Sequence, residues 1–327
     1  MKLFGRTVPL WATLIPLALA VGLYWRWWDA RLVTFRADVG AALGPTITVQ
    51  YGGFPYRLHA EGREIALART AADMTASLQV TRFSVDRQPA AESLSVIGLA
   101  SPRVAVEANG LAGARFAITA PSGRASVRRD GGRLVRLSAE FRDAALVLGL
   151  IPAKLTFASF ELHVRETPVA PILLPTGPRM PVQAEIRAGG GGLRIDSGDP
   201  LTLTADLALT AASPIRSARG WTAQSGTAEV RRLTLADRLG IVADLSATVV
   251  PRGGGLEMAG TVRTVCPRTV LAALAHRPLG KPEYRARTVL VIPFGGSAGA
   301  VSARVNEPAL GAWTVRAQEP PCPAIRR

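Results

Sequence analysis

The pentapeptide Gly295-Gly296-Ser297-Ala298-Gly299 has the residue types of a known reaction. In serine hydrolases the pattern G-x-S-x-G puts the nucleophile on a strained strand-to-helix elbow, with an acid and then a histidine later in the chain. Here an alternating apolar run, residues 301–305, follows the serine, and His59, His163 and His276 all precede it. A hairpin turn is expected, and Ser297→Ala is expected to abolish no hydrolase activity in an esterase assay. The three histidines have no paired spacing and no cysteine beside them, so they predict no metal site. Glu161 and His163 fall on one side of the same predicted strand, and a solvated strand face is expected there rather than an acid–base pair. Residues 189–192 lack the Gly-Lys-Ser/Thr that completes a phosphate-binding loop, and these glycines, like residues 253–255, read as turns. No catalytic residue and no cofactor is assigned, and a non-enzymatic role is expected.

Cys266 and Cys322 are the only cysteines. Their spacing suits no metal site, because ligand pairs usually come close together. In an oxidising compartment they are a candidate disulfide tethering the tail, worth roughly 4 kcal/mol on the chain-entropy model. The alternative is a pair of small buried thiols.

The chain of 327 residues carries a formal charge of +15, which by itself points to an anionic partner. However, Lys2, Lys154 and Lys281 are its only lysines, and its arginines are spread without a compact basic block. An arginine- and alanine-rich, lysine-poor composition also follows from GC-rich coding. With no basic helix and no metal finger, a nucleic-acid partner is not expected.

The elements that must carry these residues begin with residues 1–28. Lys2 and Arg6 precede an uncharged, mostly apolar run over residues 7–25, flanked by Trp11 on one side and Tyr24, Trp25, Trp27 and Trp28 on the other. This length and these aromatic belts predict a transmembrane anchor with its N-terminus in the cytoplasm and the remainder outside. A cleavable signal peptide ending at Ala18-Leu19-Ala20 is the competing reading, and it too exports the body. Asp29 is expected to cap a short amphipathic helix over residues 29–45, with Leu32, Phe35, Val39 and Leu43 on one face and Gly44-Pro45 ending it. That helix serves either as a stalk or as a layer packed on the chain's own sheet.

Beyond it the signals are β. Gly52-Gly53-Phe54-Pro55 forms a structural turn, since glycine admits φ > 0 and proline suits a strand start or edge. Tyr56, Leu58 and Ala60 then alternate with Arg57, His59 and Glu61, and the phase slips at Gly62, where a β-bulge is expected. Leu201-Leu203-Ala205-Leu207-Leu209 and Ile241-Ala243-Leu245-Ala247-Val249 are apolar at every second position, so one face is apolar and the other wet. Five prolines over residues 168–182 predict a crossing loop between a first β half, 46–167, and a second, 183–327. Within the second half residues 267–277 predict a helix, opened by Pro267 and closed by Pro278. Residues 313–315 predict a last strand, and the tail over residues 320–327 is expected to be irregular.

Together, the tryptophan-rich first segment, the Gly53-Phe54-Pro55-Tyr56-Arg57 turn and the later Leu155-Thr156-Phe157-Ala158-Ser159-Phe160-Glu161-Leu162-His163-Val164-Arg165 stretch resemble an alphaproteobacterial envelope family carrying domain of unknown function 2125. That resemblance spans most of residues 5–320 and supplies no catalytic residues. More loosely, the architecture is similar to the AsmA-like group, anchored envelope proteins with apolar β-grooves implicated in lipid handling. The fold expected is mainly β, a large curved antiparallel sheet or sandwich, behind one transmembrane helix and a short amphipathic helix. The function expected is that of a bacterial inner-membrane protein with a periplasmic body that binds phospholipid or another amphiphile. The alternative is an envelope scaffold with a closed sandwich core and a protein partner.

Overall fold

The structure is a computed structural model describing residues 2–3, 6–7, 10–45, 47–71, 73–130, 133–173, 179–210, 218–277, 279, 281–297, 299–305 and 319–326. A two-residue ladder pairs β1 (Lys2–Leu3) with β2 (Arg6–Thr7). The helix α1 (Leu10–Leu43) follows. No separate helix starts at Asp29, contrary to expectation. Aspartate costs a helix interior well under 1 kcal/mol, and the packed face runs through it: Trp28, Leu32, Phe35 and Val39 are all buried. They meet Leu58 and Ala60, with Val49, Tyr51 and Val85 around them, so this part of the chain is a layer on its own sheet. Gly44 ends the helix as predicted, at φ +88° and with its N–H donating to Gly40 O at 2.8 Å. Among the described residues no helix is long and apolar enough to cross a membrane; the expected span, 7–25, includes residues outside the described set.

All the remaining strands belong to one 16-stranded antiparallel sheet. They are β3 (Val49–Gly52), β4 (Leu58–Ala71), β5 (Met74–Gln88), β6 (Ala91–Ala100), β7 (Arg103–Ala108), β8 (Arg115–Thr119), β9 (Ser122–Asp130), β10 (Arg133–Leu148), β11 (Ile151–Leu173), β12 (Arg179–Ile195), β13 (Leu201–Thr210), β14 (Thr227–Asp237), β15 (Gly240–Arg252), β16 (Gly255–Thr264), β17 (Leu290–Ser297) and β18 (Ala300–Ala303). β6 and β7 continue one another in the same register against β5, Arg82 facing Ala100 and Gln79 facing Arg103. Their break is Ser101-Pro102, and β8 and β9 break beside it at Ala120-Pro121 because proline cannot donate to a ladder. Ser101 N donates to Pro121 O at 2.8 Å and Ala120 N to Pro102 O at 3.1 Å, which carries the sheet across both breaks. Every rung therefore joins sequence neighbours, and the sheet is an uninterrupted meander.

The sheet curls until distant turns meet. Ala112 N, in the β7–β8 turn, donates to Gly254 O in the β15–β16 turn at 2.8 Å, and Gly299 N, beyond β17, donates to Leu150 O at 3.3 Å. Asp73, between β4 and β5, accepts the backbone N–H of Arg219 at 2.6 Å. In an up-and-down meander these partners lie at opposite strand ends. A right-handed twist of roughly 20–25° per strand turns a strand end for end after about eight strands, and so brings opposite ends together.

Three expectations about local structure are corrected. Pro168 and Pro171 lie in β11 and Pro181 in β12, where Pro171 pairs with Pro181. The predicted crossing loop over 168–182 is thus the far part of a long hairpin, and the sheet runs on through the predicted boundary between halves. The ladder accommodates the prolines at a register irregularity between Glu166 and Ala170; Pro175 and Pro178 lie outside the described residues. Residues 189–192 form no turn but belong to β12, with a register shift between Gly190 and Leu193. Glycine is needed there because a Cβ on Gly190 would collide with Ser159 O and the Phe157 ring. Nor is there a bulge at Gly62, since β4 and β5 stay in register along their whole length. The phase changes in both strands together, with Ala60 then Ile65 buried on one and Val80 then Phe83 on the other. Glu64, at φ +51°, sits at the change, and Gly62 is glycine because the Phe83 ring lies over it.

Near the C-terminus α3 (Pro267–Leu274) begins at the predicted proline and ends three residues short of Arg277. Buried Glu283 caps it, accepting from Arg268 N at 2.9 Å and Thr269 N at 2.8 Å. The predicted strand at 313–315 lies outside the described residues. Arg285 and Asp237, each 12% exposed at the side chain, form an ion pair of 2.6 Å that ties this region to the end of β14. Asp237→Ala strands a buried guanidinium and is expected to cost about 3 kcal/mol in a denaturant melt; an unchanged midpoint would mean the pair holds nothing.

Candidate functional site

The strands with the clearest alternation line the principal cavity. Leu207 and Leu209 of β13 and Ala243, Leu245 and Val249 of β15 face it, as period-2 patterning demands. Between them β14 presents Ala228 and Val230, then Leu233 and Leu235. That parity switch is made by a bulge, because β14 slips register against β13 between Leu207 and the Asp206–Arg232 pair. Arg231 is the unpaired residue, and it turns instead to Glu185 at 3.2 Å. From the first half of the sheet come Met74, Val106, Leu111 and Leu148, which the twist carries round to face β13–β15. Trp221 of α2 (Ala218–Ala223) closes one side, its indole N–H donating to Thr210 O at 2.9 Å. This half-open cavity has a volume of about 580 Å³, within the range of roughly 300–1,000 Å³ usual for small-molecule sites.

The chemistry of this wall is one-sided. Apart from His276 and Arg326, the residues lining the cavity are aliphatic, Phe294, methionine, or Trp221 with its N–H already bonded. His276 belongs to the turn after α3 and Arg326 to the tail. Cys266, just before α3, is disulfide-bonded to Cys322, four residues ahead of Arg326. The candidate disulfide thus holds the end of the chain against the helix, and Asp199 secures the tail further: its N–H donates to Ala324 O at 2.7 Å and its carboxylate accepts Ala324 N at 2.8 Å.

Other residues singled out by type are placed elsewhere. Ser297 ends β17 and pairs with Ala300 of β18, so the G-x-S-x-G stretch is a hairpin, as expected. His59 Nδ1 lies 2.8 Å from Asp86 on the neighbouring strand, and His163 lies 3.6 Å from Glu161 on its own strand. Neither is near the cavity, and among the described residues no group of histidines, cysteines and acids could hold a metal. The Gly52-Gly53-Phe54-Pro55 turn joins β3 to β4 with a cis Phe54–Pro55 peptide. It is an anchoring point for α1: Phe54 packs edge-on to Trp28 at 5.2 Å, and the Tyr24 hydroxyl donates to Pro55 O at 2.5 Å. Sequence reasoning missed β14, whose alternation is broken by Arg231-Arg232, and the meeting of His276 with Arg326, which no spacing announces.

No protein-family model, curated protein or solved structure matches the chain.

On the opposite face of β14 from the cavity, Glu229 is 1% exposed. Thr248 donates to its Oε2 at 2.9 Å, while Oε1 has no hydrogen-bond partner among the described residues. Burial pushes its carboxyl above the usual range, and the Thr248 hydrogen bond only partly offsets this. A raised folded-state pKa means the unfolded chain ionises first as pH rises, so the folded state loses stability through and above the ordinary carboxylate range. Glu229→Gln, which removes that ionisation, is therefore expected to raise the melting stability at pH 7. The gain should shrink toward zero as pH falls below that range; a gain independent of pH would show that ionisation is not its source.

Proposed function

We propose that this protein is a non-enzymatic binder of lipid or a lipid-like amphiphile, held by its N-terminal helix at a bacterial inner membrane with its body in the periplasm. The observation that carries the reading is the cavity of about 580 Å³ with an almost wholly apolar wall. Burial of apolar ligand surface stabilises binding by roughly 25 cal/mol per Å², and this wall offers an aliphatic chain little else to recognise. Export is supported by the Cys266–Cys322 disulfide, which suits an oxidising compartment. Anchoring is supported by the aromatic-flanked apolar run and by α1, whose later turns pack on the sheet while the Leu14–Leu23 stretch keeps several large apolar side chains exposed.

The test is lipid extraction and mass spectrometry of the whole chain, expressed in a periplasm-forming host and purified in a detergent that is not itself a lipid. The whole chain is used because Tyr24 and Trp28 hold the Gly-Phe-Pro turn. A stoichiometric amphiphile is expected, and Leu209→Trp with Leu245→Phe, which fill the cavity, are expected to lower its occupancy at least fivefold. Lipid-free protein with an unaltered melt would overturn the reading and favour an envelope scaffold that binds a protein partner.

A further inference from the structure

The register of the sheet gathers charges that the sequence scatters. Arg128 of β9 pairs with Arg136 of β10, and Arg136 pairs with Arg165 of β11. Their side chains leave the face turned away from the cavity and from α1, because Val127, Leu137 and Leu162 take the other one. Neighbouring strands lie about 4.8 Å apart, so these exposed arginines stand side by side in one row. Like charges directly opposite one another destabilise a sheet, and little answers these. Among the described residues only Arg165 of the row has a carboxylate partner, Glu185 at 3.8 Å, which Arg231 holds more closely at 3.2 Å. The row is a surplus of positive charge that the fold itself does not use.

The row lies at the end of the sheet that α1 reaches. Tyr24 and Trp28 hold the turn just before Leu58, and Leu58 pairs with Arg87, which pairs in turn with Ser95. Leu94, one step nearer the sheet end, pairs with Arg128. Arg128 is thus level with the turn beyond which α1 exposes its apolar stretch, Leu14–Leu23. Leu94 beside it and Leu134 near the start of β10 are each 44% exposed. Basic side chains among exposed leucines, at the level where an apolar helix leaves the body, suit the headgroup layer of a bilayer. An acidic protein would match the charge but leave the leucines and their level unexplained. We propose that Arg128, Arg136 and Arg165 form a docking surface for anionic phospholipid, their guanidinium groups donating to headgroup phosphate oxygens. This rests on the anchoring half of the proposed function and not on what fills the cavity.

The experiment places the full-length protein in nanodiscs of phosphatidylcholine, alone or mixed equally with phosphatidylglycerol. The reaction of each arginine with phenylglyoxal is followed by peptide mass spectrometry. Arg252, 74% exposed at the side chain and set at the β15–β16 turn, which meets the opposite end of the first strands, is the internal reference. In the anionic discs Arg128, Arg136 and Arg165 are expected to react about fivefold more slowly each, with Arg252 unchanged. Salt at about 1 M, which shortens the screening length to roughly 3 Å, should remove the difference. Arg128→Gln with Arg136→Gln takes away facing like charges, so it should not lower the melt while it lowers the protection left at Arg165. Equal reactivity in both discs, with the protein still disc-bound, would overturn the docking surface, keep the anchor and leave the row to an acidic protein. Equally strong protection by inorganic phosphate in the phosphatidylcholine discs would overturn it too, because the site would then take a free anion. If the protein does not stay with the discs, the anchor and the docking surface both fail.

Discussion

Each antiparallel pair rotates its neighbour by about 20–25°, and in this protein nothing interrupts the sum. The strand order follows the chain order from β3 to β18 apart from the two proline breaks, so the rotation accumulates in one sense until strands far apart in sequence face one another. The apolar wall of the half-open cavity, the contact between the β7–β8 and β15–β16 turns, and the placing of Met74 with β14 on that wall all follow from that geometry. A sheet with a crossover could reverse its order and flatten; this one has no such freedom.

The ends of the curl are closed by different means. At the N-terminal end α1 lies across the sheet on a row of large side chains, with Phe35 wholly buried and Arg87 over its ring at 5.1 Å. A second, smaller hollow of about 240 Å³ remains beneath the helix, between Leu43 and the β4–β6 strands. Among the described residues at the C-terminal end no long helix is available, and the closure is covalent. A loop closed over 56 residues removes roughly 4 kcal/mol of unfolded-state entropy on the chain model, which is enough to hold an irregular tail that forms little of its own secondary structure.

What could be read from the sequence depended on how local its cause was. Strand β13, the helix after Pro267, the Gly-Phe-Pro turn and the hairpin around Ser297 are each fixed by neighbouring residues and lie where the pattern puts them, whereas β15 follows its pattern only from Ala243 onward: the ladder to β14 slips register before it, leaving Ile241 48% exposed and Val242 buried. The failures have non-local causes. Gly190 looks like a turn residue until the Phe157 ring of the next strand is placed over it. Prolines 168, 171 and 181 look like a loop until β11 and β12 are long enough to carry them. Asp29 looks like a helix cap until the sheet beneath offers a continuous seat to the residues on either side. The polar end of the cavity was the least legible of all, because His276 and Arg326 approach only through a disulfide and a turn, and neither lies in a motif.

A sheet in which every rung joins sequence neighbours also has a direction in time. Its ladders are of low contact order compared with Greek-key sheets of the same size, so strands can be added one after another as the chain emerges from a ribosome or a membrane pore, each on an edge already formed. The turn-to-turn hydrogen bonds wait for distant strands, those of Asp73, Ala112 and Leu150 needing Arg219, Gly254 and Gly299 in turn, and the contacts of the tail come last. Until those form, the apolar face is an open trough with an unpaired edge, and it acquires a lid only when the last residues arrive.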